Sequence, residues 1–258
     1  MTSPKIGENP KDDKYAHGMD WVSDVSEDFE LKNYRKYQYD LIGRYIGGNV
    51  LEVGSGDRSF TNQIVRNARN IKRIVSIEPS TVLTDLYQNK YKFPGNVSFE
   101  ILDLFNMSKT SHGLFDTIIL VHVLEHIEKD RDAISHLHSL LAPGGRLLIE
   151  VPAMPFLFSG HDEMLGHYRR YNKKNLKAAI NTDLFNIKDM WYQDAIGVFG
   201  SLFFFKIRKI KLKSAEGVDL AKNQGGIYDK YVIPFESAYE KFVRLPFGLS
   251  LTCILERK

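Results

Sequence analysis

The stretch Val50-Leu51-Glu52-Val53-Gly54-Ser55-Gly56 decides how this chain folds. A short, mostly apolar strand, Asn49 to Val53, runs into a glycine turn, and Phe60 to Ala68 follows as a helix. Glycine lets the backbone bend tightly and approach a ligand with no Cβ in the way. At the carboxyl end of a first parallel strand, such a loop is where open α/β sheets take nucleotide-like ligands. Two glycines after a strand also occur in plain turns, so the loop needs company. Glu78 ends the next strand, 22 residues beyond Gly56, where an acid accepts hydrogen bonds from both ribose hydroxyls. Asp103 ends the third strand in Ile101-Leu102-Asp103-Leu104, within reach of an adenine amino group. Either acid alone fits a helix cap. With Glu52 they make three acids at the ends of three consecutive strands, and together they point to a nucleoside-like ligand.

Working outward, strands and helices keep alternating. Further strands read at Arg73 to Ile77, Val97 to Leu102, Thr117 to Val121 and Arg146 to Val151. Helices read at Ser80 to Tyr91 and Asp130 to Leu141, the latter stopped by Pro143-Gly144-Gly145. The strands are continuous apolar runs rather than alternating ones, which marks a parallel sheet covered on both faces. The expected fold is α/β, a doubly wound, mainly parallel sheet. On the N-terminal side, Tyr34, Tyr37, Leu41, Ile42 and Tyr45 recur at helical spacing between Phe29 and Ile46, giving a helical cover that stops at Gly47-Gly48. Residues 1–30 read as a loosely held arm and 31–258 as one domain. After Pro152 comes a segment rich in His, Arg and Tyr, then a strand from Phe185 to Tyr192. Residues 195–245 lack clear alternation and read as an inserted lid, before a last strand from Leu249 to Leu255.

Composition narrows the class. The 258 residues are 43% hydrophobic and 26% charged, which excludes a disordered tail, a collagen-like fibre and a disulfide scaffold. With 35 Lys and Arg against 32 Asp and Glu, the balance is too even for a nucleic-acid partner to be expected. The charge is unevenly spread: residues 1–158 hold 18 basic and 21 acidic side chains, residues 159–258 hold 17 and 11. The C-terminal part is thus the one suited to an anionic ligand. The single cysteine, Cys253, lies in an apolar run and reads as a small buried hydrophobe. The polar N-terminus does not read as a signal peptide, and a cytoplasmic protein is expected. Ala195 to Phe205 is about half the ~20 residues of a spanning helix. Five cations follow it between Lys206 and Lys213, a combination that suits an anionic membrane surface. The favoured reading is a lid helix packed on the sheet with a solvated basic end.

These motifs, with Phe115-Asp116-Thr117-Ile118-Ile119 leading into His122-Val123-Leu124-Glu125-His126-Ile127, and with Leu141-Ala142-Pro143-Gly144-Gly145, resemble the class I S-adenosylmethionine-dependent methyltransferases. The resemblance covers about residues 31–152, and Leu249 to Leu255 matches that family's last, antiparallel strand. It implies a Rossmann-like sheet of seven strands and S-adenosylmethionine as cofactor. It further implies that Glu52, Gly54 and Gly56 surround the methionine part, that Glu78 holds the ribose, and that Asp103 with the Leu104 backbone meets the adenine. His122, just after the fourth strand, would lie near the reactive methyl. Arg58 stands where the family often has glycine: either its side chain turns outward, or it touches the cofactor carboxylate or the substrate. A dinucleotide oxidoreductase is the weaker reading, because the third glycine of its fingerprint would be Ser59.

His122, Glu125 and His126 share one face of a helical turn. His-x-x-Glu-His is also the inverted zinc-protease signature, but it needs a long helix, and here it follows a buried strand. Some methyltransferases hold a divalent ion with Glu-x-x-Glu-His; with His122 in place of the first acid, no metal is expected. The second constellation is His161-Asp162-Glu163-Met164-Leu165-Gly166-His167-Tyr168-Arg169-Arg170-Tyr171. Its Gly-His-x-Arg-Arg-Tyr resembles a segment in methyltransferases of polysaccharide, lipid-linked sugar and natural-product pathways. Histidine takes a proton near neutral pH and arginine clamps anions. His126 and His167 are therefore the candidate bases, and His161, Arg169, Arg170 and Tyr171 the candidate acceptor contacts. The expected function is methyl transfer to an oxygen or nitrogen of a small anionic acceptor. The alternative is a non-catalytic cofactor-binding or scaffold protein of the same fold.

Overall fold

The computed structural model describes residues 31–210, 225–240 and 242–258. The arm read at 1–30 lies outside them, as do Lys211 and Lys213 of the basic run. In chain order the main elements are α1 (Lys32–Ile42), β1 (Gly48–Val53), α2 (Ser59–Asn67), β2 (Ile71–Ile77), α3 (Thr81–Tyr87), β3 (Val97–Glu100), α4 (Lys109–His112), β4 (Phe115–Val121) and α5 (Asp130–Leu140). They continue as β5 (Leu141–Pro152), α6 (Gly160–Met164), α7 (Lys173–Ala179), β6 (Phe185–Gln193), α8 (Ala195–Ser201), α9 (Ile233–Tyr239) and β7 (Ser250–Arg257). The strands form one sheet in the order β3-β2-β1-β4-β5-β7-β6. Only β7 runs against its neighbours, pairing antiparallel with both β5 and β6. The expected fold class, antiparallel last strand included, is what the sheet shows.

Both faces of the sheet are covered, which is why the strands carry no alternation. Leu51, Val53, Ile118, Leu120, Leu147 and Ile149 pack with Leu137 of α5 in one core. Val50, Ile74, Ile119, Leu148 and Ile254 pack with Ile42 of α1 and Ile64 of α2 in the other. Successive residues of one strand thus serve opposite cores. Cys253 is fully buried, and burial pushes its thiol up to about 12, so it is a core filler as read.

The inserted segment is helical where described. α8 continues as a π-helical turn over Leu202–Ile207, and Gly225–Ile227 and Tyr228–Val232 lead into α9. α8 buries Ala195 and Val198, while Phe199 on its other side is 64% exposed, so this helix is only half packed. The segment also completes α1. Leu31, at the N-cap of α1, has no side chain able to cap it. Asp229 does so instead: its carboxylate accepts from Tyr34 N at 2.7 Å and Asn33 N at 3.2 Å.

Candidate functional site

The site forms at the carboxyl ends of β1, β2 and β4, where the chain turns out of the sheet. At the end of β1, Gly54 has φ +77°, and a Cβ there would meet Val123 Cγ2 at 2.5 Å, so only glycine fits. Gly56 has φ +47°, and a Cβ there would meet nothing within 4 Å, so the loop borders open space. Glu78 ends β2 with its carboxylate pinned against this loop, accepting from Gly56 N at 2.9 Å and Ser80 N at 3.0 Å. Glu52 lies behind the loop. Its Oε2 accepts from Thr61 at 2.5 Å and Ser76 at 2.7 Å, and burial outweighs these bonds to push it up to about 7. Asp103 accepts from Phe105 N at 2.9 Å, the capping role that the sequence also allowed, and Leu104 beside it is buried.

Arg58 answers the question its position raised. It takes the left-handed φ of +62° that glycine would take, and its guanidinium lies 4.1 Å from the Phe99 ring centroid and donates to Gln88 O at 2.9 Å. The loop tolerates it, and the side chain is held by β3 and the end of α3.

His122 follows β4 with φ +55°. Its ring lies 3.4 Å from Glu125 Oε1 and 3.2 Å from Glu150 Oε1, both acids being fully buried. Burial disfavours the charged ring, but the two carboxylates outweigh it and raise His122 to about 9. Gln38 of α1 closes the far side, donating to Glu150 Oε1 at 2.6 Å. His126 and His167 meet edge to face, centroids 4.7 Å apart. His167 Nδ1 is 3.0 Å from Asp162 Oδ1, and Arg170 Nε donates to that same oxygen at 2.7 Å. Burial alone would raise Asp162, yet the His167 hydrogen bond and the Arg170 charge lower it to about 2. His161 stacks on Phe205 of the inserted segment at 4.3 Å, and burial lowers its pKa to about 4.

The structure thus brings the two histidine motifs together, and it corrects the acceptor contacts. Tyr171 is buried and donates to Asp130 Oδ2 at 3.0 Å, so it faces the interior rather than an acceptor. Arg169 donates to Ile127 O at 2.8 Å and Glu128 O at 2.7 Å, and Arg170 is buried on Asp162. Both guanidiniums are spent on protein oxygens. The Arg-Arg-Tyr run braces the segment after β5 against the segment after β4, which leaves the imidazoles of His126 and His167 facing each other. Sequence reasoning missed Glu150, Asp162 and Gln38. An acid inside the apolar run Leu147 to Val151 was the available signal for Glu150, since a carboxylate is almost never buried without a partner.

A family profile described as "Methyltransferase domain" matches residues 22–190. The chain belongs to this methyltransferase family. The open cradle at Gly56 beside the Glu78 carboxylate fits S-adenosylmethionine, the cofactor of this family. Among curated relatives, a tRNA U34 carboxymethyltransferase of Pseudoalteromonas atlantica is 24% identical over 136 residues, 53% of this chain and 40% of that one. A hybrid PKS-NRPS synthetase, fsa1, of a Fusarium species is 30% identical over 112 residues, 41% of this chain and 3% of that one. The chain therefore spans well under half the length of either. In overall fold it is similar to the N-methyltransferase NodS of Bradyrhizobium japonicum, solved with S-adenosylhomocysteine, at 15% identity and TM-score 0.57, covering 95% of this chain and 98% of that one. The [4+2]-cyclase SpnF is similar at 22% identity and TM-score 0.55, covering 86% and 80%.

Proposed function

We propose that this methyltransferase moves the sulfonium methyl of S-adenosylmethionine to an oxygen or nitrogen of a small acceptor held beside His126 and His167. In this reading Gly54 and Gly56, with Glu52 behind them, border the methionine part. Glu78 takes the ribose, Asp103 and the Leu104 backbone the adenine, and His122 stands at the methyl end. The acceptor atom attacks the methyl carbon in line, the new bond forms as the C–S bond breaks, and the electron pair stays on sulfur. Alignment and exclusion of water do most of the work. A hydroxyl acceptor gives up its proton to His167, and an amine can arrive already deprotonated.

The observation that carries this reading is the Asp162–His167–His126 arrangement. Asp162, held ionised by Arg170, accepts a hydrogen bond from Nδ1–H of His167 and leaves Nε2 with a lone pair. The inserted segment serves as the lid, with Phe205 on His161 and Lys206 donating to Phe158 O at 2.7 Å. An anionic acceptor, such as a sugar, lipid-linked or natural-product intermediate, is supported by the basic excess of residues 159–258. Lys209, exposed on the lid, is better suited to meet it than Arg169 and Arg170.

Calorimetry with S-adenosylmethionine and S-adenosylhomocysteine, followed by labelled-methyl transfer to a panel of sugar and amine acceptors, tests the assignment. Glu78→Ala is expected to weaken cofactor binding at least tenfold. His167→Ala should keep that affinity and slow transfer by about a hundredfold. Wild-type protein that binds the cofactor but never turns over an acceptor would favour the scaffold alternative.

A further inference from the structure

We propose that Glu125, His126 and His167 form a divalent-metal site facing the acceptor, a departure from the metal-free reading of the sequence. The three side chains come from the segments after β4 and β5, and each offers one donor atom within 4.8 Å of the others. Glu125 is fully buried, and neither of its carboxylate oxygens has a hydrogen-bond donor; His122 stands 3.4 Å from Oε1, outside hydrogen-bond geometry. A sealed carboxylate with unsatisfied oxygens is costly unless a charge meets it. His122 meets one side of it, and the two imidazoles face the other.

One of those imidazoles is already set as a ligand. Asp162 accepts a hydrogen bond from Nδ1–H of His167, so Nε2 presents a lone pair, 4.0 Å from Glu125 Oε1. The His126 ring packs edge to face on it, centroids 4.7 Å apart. This carboxylate–histidine support is what orients first-coordination ligands in metal sites. Around a metal with bonds of about 2.0–2.2 Å, neighbouring donors stand roughly 3–4 Å apart, so a small closure of the two rings completes the set. Two imidazoles and one carboxylate select a borderline cation such as Zn²⁺, Mn²⁺ or Fe²⁺ over Mg²⁺ or Ca²⁺. Three protein ligands leave coordination positions open. His126 and His167 are only partly buried, so those positions open toward the mouth. With the metal in place, Nε2 of His167 is a ligand rather than a base. A hydroxyl bound to the open position would ionise at lower pH than in water and lose its proton to solvent, which would suit the acceptor of the methyl-transfer reading on which this role rests.

The test is direct binding to the full-length, chelator-stripped protein. Zn²⁺ is titrated by calorimetry and Co²⁺ by its visible absorption. The expected result is one equivalent bound, with the Co²⁺ spectrum of a low-coordinate nitrogen and oxygen site. His167→Ala and Glu125→Gln should each weaken binding at least tenfold, and Asp162→Asn by about ten- to a hundredfold through His167. His112→Ala, at the far edge of the sheet, should leave it unchanged. Absence of stoichiometric binding by the wild-type chain, which needs no variant, overturns the proposal. Wild-type affinity in folded His167→Ala protein overturns it too. S-adenosylhomocysteine affinity is measured on the same samples: retained cofactor binding without metal refutes the metal site alone, and metal binding without cofactor refutes the methyl-transfer reading alone.

Discussion

Two groups of ionisable side chains are buried in this molecule, one at the mouth of the sheet and one under the inserted segment, and neighbouring residues of α1 plug both. Gln38 reaches the mouth through Glu150, while Tyr37 donates to Glu240 and accepts from Asp194 N at 3.0 Å. Around the histidines at the mouth each acid has a cationic neighbour: His122 lies between Glu125 and Glu150, and Arg170 holds Asp162. Under the inserted segment, Asp194, Glu236 and Glu240 converge with Tyr37 and Tyr228, and none of the three acids forms an ion pair among the described residues. Burial raises Glu240 to about 7, and burial with the Glu236 charge also pushes Asp194 up. One group keeps its charges and pairs them; the other is stabilised by keeping protons. The first suits chemistry that needs fixed tautomers, and the second suits a packed interior beneath the inserted segment.

The largest expected effect comes from breaking the paired group. Asp162→Ala strands a buried Arg170 and should cost about 3–5 kcal/mol in chemical denaturation, because one partner of a buried pair is left uncompensated. A cost below ~1 kcal/mol would mean that the arginine escapes to solvent and the pairing matters little. In the other group, Tyr37→Phe removes a hydroxyl that serves Glu240 and Asp194 N, at about 1–2 kcal/mol. Smaller again is Asp229→Ala, which uncaps α1 from a distance of nearly two hundred residues. About 1 kcal/mol is expected, with faster amide exchange confined to the first turn of α1.

The smallest effect separates the groups by pH. Glu240 has a folded pKa above its unfolded value, so its protonated form favours the native state. Its contribution is complete below about pH 4 and is lost as pH rises through about 7. His122, raised to about 9, contributes fully below about pH 6.5 and loses its contribution as pH rises through 9. Asp162, lowered to about 2, loses its contribution only as pH falls from about 4 through 2. Between about pH 4 and 6.5 Glu52, raised to about 7, adds to the Glu240 decline and His161, lowered to about 4, opposes it. The Glu240 part is therefore read by difference: Glu240→Gln should make the slope of thermal midpoint less negative by about 1–2 °C per pH unit. An unchanged slope in that variant would show that Asp194 carries the proton instead.

The same contrast explains what could be read from the chain. The glycine loop and the acids after β1, β2 and β3 obey a fixed order along a sheet, so Gly54, Gly56, Glu78 and Asp103 were legible from spacing and from the family they resemble. Helix ends were less so: the helix read at Ser80 to Tyr91 stops at Tyr87, because nothing in the local pattern marks that end. Arg169, Arg170 and Tyr171 looked like an acceptor clamp because charge density is visible in sequence and its partners are not. For Arg169 and Tyr171 those partners are backbone carbonyls at Ile127 and Glu128, and Asp130, about forty residues upstream, which only the folded chain brings near; Arg170 turns to Asp162, eight residues back. The acid group at Asp194, Glu236 and Glu240 lay in a segment without periodicity, and tertiary closure alone assembles it.

The Asp229 cap ties the two ends of the chain to one helix. The first amides of α1 are satisfied by a residue of the inserted segment, so the first turn of α1 is complete only with that segment in place. One turn further on, Tyr37 and Gln38 reach the two buried groups from the same helix. The order of that first turn is thus a reporter, readable by amide exchange, of where a segment nearly two hundred residues away lies.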